Sequence, residues 1–156
     1  MLEARIQEAL NGCRLPAWET IPDFGLYMDQ VLTYVERNLP SLSGLPGLTA
    51  PMINNYVKAG LVDRPDGKKY SRSAVARLLM ICVLKQTMSQ DGIRRLLRPG
   101  EGTEEIYAAF RSSQDRIIGS FSDAAPASAL ACALESASLH LICRLMLAED
   151  TAEKAP

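Results

Sequence analysis

The clearest periodic pattern in this chain lies in residues 48–97, where two amphipathic segments flank a short basic turn. Thr49 followed by Pro51 is typical of a helix start, because a hydroxyl caps free backbone N–H groups and the first turn tolerates proline. Gly60 is typical of a helix end, so we expect a helix over residues 50–60. Apolar residues at near-helical spacing form its inner face: Ile53, Val57 and Leu61. Its outer face is polar and basic: Asn54, Asn55 and Lys58.

A basic turn separates this helix from the next one. Residues 65–67 supply proline, aspartate and glycine, and the two lysines that follow, Lys68 and Lys69, are expected at the tip of a short hairpin ending at Tyr70. Ser71 is a second helix cap, and the apolar residues after it keep to one face. The cations of this second helix are therefore expected to stay solvated: Arg72, Arg77 and Lys85.

Further helices are predicted on both sides of this region. One runs from Leu2 to Leu10, an irregular segment follows to residue 22, and Asp23 is expected to start a helix whose apolar stripe reaches Leu39. A short helix is expected to start within residues 88–91, after the second long one. Its arginines either reach DNA phosphates or form an ordinary solvated face: Arg94, Arg95 and Arg98.

The last third of the chain, residues 100–150, lacks strand signals and holds two helical stretches separated near residues 120–126. The second is apolar over much of its girth and needs burial, either within the chain or against a second copy. We favour a homodimer formed by these C-terminal helices. The expected organisation is an N-terminal segment (1–22), a DNA-binding domain (23–99), a helical dimerisation or effector region (100–150) and a disordered tail (151–156).

Composition fits a soluble protein. The chain has 156 residues, of which 47% are hydrophobic and 22% charged. Its first residues lack the cationic start and the apolar run of a secretory signal, and no membrane-spanning run is expected. We therefore expect a cytoplasmic protein that makes no membrane contact and no disulfides.

Charge is distributed unevenly along the chain, although the net charge is only −1. Residues 1–53 carry a net of −3 and residues 99–156 a net of −5. Residues 54–98 hold ten Lys and Arg against three Asp, a net of +7. A basic module between acidic flanks indicates phosphate contacts to double-stranded DNA, with the flanks limiting indiscriminate binding.

Residues 52–62 resemble the recognition helix of the MerR-type winged-helix regulators. The positions that match that helix without a gap are Ile53, Tyr56, Gly60 and Leu61. Those that match the family's wing, with one residue fewer, are Gly67, Lys69 and Tyr70. Asn54 and Asn55 stand where the family has arginine and tyrosine, so the resemblance implies the docking mode and not those two contacts.

A second resemblance covers residues 15–97 and is to a bacterial domain of unknown function, number eighteen thirty-six. It rests on five strings of this sequence: residues 15–18, 26–31, 52–58, 68–70 and 81–86. The resemblance implies a transcription regulator with a MerR-like DNA-binding region. The expected fold is mainly α, a winged helix-turn-helix with additional N-terminal and C-terminal helices.

Side-chain chemistry suggests a role for each polar residue of this region. Asn54 and Asn55 either make bidentate contacts to adenine or cap and pack locally. Lys68 and Lys69 suit phosphates or the minor groove, whereas Tyr56 either contacts a phosphate or braces the helix. The predicted DNA contacts are Thr49, Asn54, Asn55, Tyr56, Lys58, Lys68, Lys69, Tyr70 and Arg72.

Other chemistry is poorly supported. His140 and Cys143 share a helical face, but two ligands do not make a zinc site, and buried apolar cysteines with a surface histidine are expected instead. No nucleophile–base pair or phosphate-binding glycine loop is visible, so we expect neither an enzyme nor a bound cofactor. A small-molecule effector is compatible with the sequence. The alternative function is a helical adaptor whose basic face binds an acidic protein partner.

Overall fold

The computed structural model describes residues 2–40, 47–98, 102–123 and 128–153. This part of the chain is mainly helical, as predicted, and contains no β-strand. A 3-10 turn, Trp18–Thr20, follows the first helix. The seven α-helices of the described residues are α1 (Leu2–Asn11), α2 (Met28–Asn38), α3 (Ala50–Lys58), α4 (Arg72–Leu84), α5 (Gln90–Leu97), α6 (Thr103–Asp123) and α7 (Ala129–Glu153).

Helix α4 is the centre of the fold. The hydroxyl of its N-cap, Ser71, accepts a hydrogen bond from the N–H of Ala74 at 3.2 Å, which confirms the predicted helix start. Residues 74–82 are all buried, because all of them except Arg77 are apolar and α4 packs against α2, α5 and α6. The prediction that the cations of this helix stay solvated is therefore wrong at Arg77, which is only 3% exposed. Lys85 is half-buried.

Arg77 joins three helices. Its Nε donates a hydrogen bond to Oγ1 of Thr103, at the start of α6, and its Nη1 donates to the carbonyl of Leu97, at the end of α5; both distances are 3.0 Å. Burial lowers the pKa of Arg77, and the charge of Asp63 opposes that shift. The guanidinium stays charged and binds one of the carbonyls that the last turn of a helix leaves without an intrahelical donor.

The N-terminal segment packs against α6. The hydroxyl of Tyr107 donates to the carbonyl of Pro16 at 2.8 Å, and its ring lies 5.7 Å from that of Trp18. The amide of Gln114 accepts a hydrogen bond from the N–H of Leu15 at 3.1 Å. Since Leu15 and Tyr107 belong to the same hydrophobic core as α4, α6 and the N-terminal segment form one body with the predicted DNA-binding region.

Helix α2 begins later than predicted. The sequence places its start at Asp23, whereas the helix begins at Met28. Gly25 has a positive φ of 78°, and Leu26 is extended, because its backbone pairs with that of Tyr70. The cap is Tyr27, whose N–H donates to the side chain of Gln30 at 2.9 Å.

Helix α7 packs against α5 and is otherwise the most exposed apolar element among the described residues. Its segment Ala129–Asp150 is long and apolar enough to cross a membrane by length and composition, which corrects the expectation that no such run exists. The backbone is helical to Glu153, three residues into the segment predicted to be a disordered tail. Residues 154–156 lie outside the described residues.

The cysteines differ in exposure, which corrects the prediction that all are buried. Cys82 is buried, Cys13 and Cys143 are intermediate, and Cys132 is exposed. Burial raises the pKa of Cys82 to about 11, against an opposing effect of Lys85. A thiolate is the reactive form of cysteine, so burial and the raised pKa both lower the reactivity of Cys82 in the folded protein.

We expect iodoacetamide at pH 8 to alkylate Cys132 at least about 100-fold faster than Cys82, because a buried thiol with a strongly raised pKa is almost fully protonated there. Mass spectrometry of peptides over a time course measures both rates. Cys132→Ser should remove the fast label, and denaturant should expose Cys82. Equal rates in the folded protein would contradict this assignment.

Candidate nucleic-acid interface

Helix α3 presents a polar outer face on a buried support. Thr49 caps it, with its hydroxyl accepting a hydrogen bond from the N–H of Met52 at 3.4 Å, as predicted. Ile53 is fully buried. The three residues predicted to face outward are all exposed: Asn54, Asn55 and Lys58. Packing in the core fixes this helix, and its amide and ammonium groups point to solvent.

Tyr56 supports α3 from inside. Its side chain is half-buried and packs against the hydrophobic core. Burial raises the pKa of Tyr56, with a smaller effect from Cys82 in the same direction. Two roles were predicted for Tyr56, contact with a phosphate and bracing of the helix, and this packing fits bracing.

The end of α3 is a Schellman motif. Gly60 has a positive φ of 72°, its N–H donates to the carbonyl of Val57, and the N–H of Leu61 donates to that of Tyr56. These bonds satisfy carbonyls that the helix end leaves open. Leu61 is 1% exposed, so the motif turns the chain into the core before it reaches the basic turn.

A tight hairpin, residues 66–69, follows. Asp66 and Lys69 exchange two backbone hydrogen bonds of 2.9 and 3.0 Å. Between them Gly67 has a φ of 59°, and a positive φ at the first central residue alone is typical of a type II′ turn. Lys68 and Lys69 are exposed at its tip. Within the described residues the predicted wing thus consists of this turn and the Leu26–Tyr70 bridge rather than of strands.

Contacts with the start of α2 hold the hairpin in place. The ammonium of Lys69 lies 5.4 Å from the centre of the Tyr27 ring, a cation–π distance. A Cβ on Gly25 would stand 3.0 Å from the Cβ of Lys69, and the positive φ of Gly25, 78°, favours glycine at this position. Sequence reasoning missed both partners, because no local pattern links residues 25 and 27 with residue 69.

Two predicted contact residues have other roles. Tyr70 is 4% exposed and belongs to the core, which removes it from the contact surface. Arg72 is half-buried: its Nε donates to the carbonyl of Ile21 at 2.8 Å, and its guanidinium lies 3.7 Å from Asp23 and 5.8 Å from the Trp18 ring. These contacts tie the start of α4 to the N-terminal segment.

One cation of α5, Arg94, lies beside the end of α3. A Cβ on Gly60 would lie 4.0 Å from Nη1 of Arg94, so this guanidinium is beside the end of α3. Arg95 forms an ion pair with Asp91 at 3.0 Å, and Arg98 is exposed. This placement fits both alternatives predicted for these arginines, contact with DNA phosphates and an ordinary solvated face. The exposed cations nearest to α3 in the sequence are Lys58, Arg64, Lys68 and Lys69.

Comparison with known proteins identifies a family. Residues 16–112, more than half of the chain, match the family described as Domain of unknown function (DUF1836). The chain therefore belongs to this family, as its resemblance predicted. No curated protein and no solved structure matches it.

Proposed function

We propose that this member of the DUF1836 family is a sequence-specific, DNA-binding transcription regulator. Helix α3 reads the major groove, and the hairpin contacts the sugar–phosphate backbone or the minor groove. The observation that supports this most is the division of α3 into a buried and an exposed side: Ile53 is fully buried, whereas the adjacent Asn54 and Asn55 are exposed.

The order of elements supports a MerR-like winged helix-turn-helix. Helix α2, helix α3, a tight hairpin and helix α4 follow one another along the chain, and the exposed helix comes directly before the hairpin as in that superfamily. Leu26 and Tyr70 exchange backbone hydrogen bonds of 3.0 and 2.8 Å. This pairing gives a short wing a fixed base next to the start of α2.

The exposed side chains supply both kinds of contact that specific binding needs. Asparagine pairs with N6 and N7 of adenine in a bidentate manner, and each such contact is worth about 1–3 kcal/mol of discrimination against other bases. Lys58, Arg64, Lys68 and Lys69 supply phosphate contacts, which position the protein without reading sequence. Residues 54–98 carry a net charge of +7 between acidic flanks, so the attraction to phosphates is concentrated in this segment of the chain.

The proposal predicts a large effect of reversing the hairpin charges. We expect Lys68→Glu with Lys69→Glu to weaken binding to all duplexes at least about 100-fold near physiological salt, because two phosphate contacts become repulsions. The slope of log affinity against log salt should fall by about two. Fluorescence anisotropy with a selected duplex, measured at several salt concentrations, gives both quantities.

The matched control changes the same charge elsewhere. Arg5→Glu with Arg37→Glu also takes the net charge from −1 to −5 and uses exposed residues of α1 and α2. This variant should retain most of the affinity. Equal loss in both variants would mean that only overall charge matters, and no binding by the wild-type protein to any fragment of a randomised duplex pool would overturn the proposal.

A change of specificity separates base reading from phosphate contact. Asn54→Ala and Asn55→Ala should leave the salt slope unchanged and relax the sequence preference at one base pair each. Selection of bound fragments from the same randomised pool measures that preference. If neither variant alters the selected motif, the asparagines do not read bases.

A further inference from the structure

A cavity of about 530 Å³ lies between the start of α5 and helix α7. Sites that hold small molecules have volumes of roughly 300–1,000 Å³. The α5 side of this cavity includes Thr87, Ser89 and Arg95, and the α7 side includes His140 and Arg144. Of the described residues, none from α3 or from the hairpin lines it. The cavity is therefore separate from the surface proposed to bind DNA.

Cations from two helices converge on this cavity. Arg95 of α5 and Arg144 of α7 both line it, and His140 lies one turn before Arg144 on the same helix. Both arginines are exposed, so a solute can reach their guanidinium groups. Two like charges on the walls of one concave site repel each other, and an anion bound between them replaces this repulsion by attraction.

The cavity lining balances only part of this positive charge. Among the described residues that line it, Asp91 is the single carboxylate, and its Oδ2 lies 3.0 Å from Nε of Arg95. No acidic residue stands three or four positions from Arg144 on α7, which are the positions where a helical ion pair forms. With His140 neutral, two arginines and one aspartate leave the lining with a net charge of +1.

The orientation of α7 turns its polar side toward α5. Four residues of α7 line the cavity at helical spacing: His140, Arg144, Leu147 and Ala148. Large apolar residues elsewhere on the helix, such as Leu134, are more than half exposed. A helix that packs only to bury apolar surface turns its leucines toward the rest of the chain. The placement of an arginine and a histidine against α5 instead points to a use for these two groups.

The donors around the cavity suit a phosphate better than a carboxylate. A guanidinium binds two oxygens of either group at once. A carboxylate has two oxygens in one plane, whereas a phosphate ester has three terminal oxygens that point in different directions, so a phosphate can bond to donors on both walls. The hydroxyls of Thr87 and Ser89 line the same cavity. The Ser89 oxygen accepts a bond from the N–H of Gly92 at 3.2 Å, and a hydroxyl that accepts one bond can still donate another.

We propose that this cavity binds the phosphate group of a small phosphorylated molecule, with the phosphate between Arg95 and Arg144. The volume is larger than a phosphate needs, and Met88 and Leu147 also line it. The organic part of the ligand packs against these two side chains. The inference does not depend on DNA binding, because neither α3 nor the hairpin contributes a described residue to the cavity.

A single histidine reports on this site. His140 lines the cavity and is the one histidine of the 156 residues, so its ring protons give unambiguous NMR signals. Titration of the full chain with ribose 5-phosphate at constant pH should shift these signals to saturation, with a dissociation constant of about 1 mM or lower. Potassium chloride at the same ionic strength should leave them unshifted. Inorganic phosphate should bind at least about threefold more weakly than the ester, because it lacks the organic part.

Two substitutions in the cavity should change the affinity for ribose 5-phosphate in opposite directions. Arg144→Gln should weaken binding at least about tenfold, because charge-assisted hydrogen bonds to the phosphate are lost. Asp91→Asn should strengthen binding about threefold, because it removes the carboxylate that repels the phosphate. The matched control, Arg37→Gln, removes the same charge from an exposed residue of α2 and should leave the affinity within about twofold. Circular dichroism shows whether each variant keeps its helices.

Three results would overturn the inference. The first is no saturable shift with ribose 5-phosphate, or equal weakening by Arg144→Gln and Arg37→Gln. The second is equal affinity for the ester and for inorganic phosphate, which would assign the cavity to the free ion. The third is a loss of duplex affinity in Arg144→Gln as large as that of the hairpin variant, which would assign Arg144 to DNA. A chain that binds the ester but no duplex would support this inference and overturn the proposed function, so the two fail separately.

Discussion

Replacing Arg77 by methionine should lower the free energy of unfolding by about 3 kcal/mol, because two buried hydrogen bonds from a charged donor are lost. The carbonyl of Leu97 and the hydroxyl of Thr103 would remain buried without this donor. For a domain of this size the change corresponds to a fall in melting temperature of about 6–12 °C. Urea unfolding followed by circular dichroism measures the free energy directly.

The methionine of Arg77→Met cannot compensate for the two lost hydrogen bonds. Replacing a buried charge is neutral when its partners are replaced as well, but one partner here is a backbone carbonyl at the end of α5. Thr103→Val should lower the free energy of unfolding by about 1.5–3 kcal/mol, the usual value of a hydrogen bond to a charged group, because it removes one acceptor of the buried guanidinium. The double variant should then be less destabilised than the sum of the two single changes, because both remove the same bond.

An exposed arginine of α5 provides the control. Arg95 forms a surface ion pair with Asp91 one turn away, and such pairs contribute about 0.3–0.5 kcal/mol. Arg95→Met should therefore change stability by less than about 0.5 kcal/mol. If Arg77→Met and Arg95→Met unfold at the same urea concentration, Arg77 does not hold the three helices together.

Local features of the fold were predictable from the sequence. The starts of α3, α4 and α5 follow the hydroxyl caps Thr49, Ser71 and Ser89, because a cap bonds to backbone groups only three residues away. The turn at Gly60 was predictable for the same reason, since its left-handed backbone is a property of that residue and its neighbours.

Features that depend on distant parts of the chain were not predictable. Arg77 was expected in solvent because periodicity places a charge on the outer face, but the ends of α5 and α6 close over it. Asp23 has the chemistry of a cap, yet the pairing of Leu26 with Tyr70 keeps the chain extended past it. The same pairing buries Tyr70, which sequence reasoning assigned to DNA.

Of the candidate site, the outer face of α3 and the lysines of the hairpin could be predicted, because exposure follows from helical period and from a turn tip. The support of the hairpin by Gly25 and Tyr27 could not, since it joins residues more than 40 positions apart. Arg72 was assigned to DNA for its charge alone, and its contacts with Ile21 and Asp23 become visible only in three dimensions.

Two neighbouring residues of α3 should separate folding from binding. Ile53 is fully buried, and truncating a buried isoleucine to alanine costs about 2–5 kcal/mol through lost burial and the cavity that remains. We expect Ile53→Ala to fall in this range and Ile53→Val to lose only about 0.5–1.5 kcal/mol. Urea unfolding of both variants measures the difference.

Asn54→Ala, one residue along the same helix, should behave in the opposite way. Its side chain is exposed, so the free energy of unfolding should change by less than about 0.5 kcal/mol. Discrimination between the selected duplex and a single-base variant should fall by about 1–3 kcal/mol, which is about 5- to 150-fold in relative affinity. Ile53→Val keeps the outer face intact and should preserve that discrimination. Loss of discrimination in Ile53→Val but not in Asn54→Ala would mean that α3 acts through its packing and that its outer face does not touch DNA.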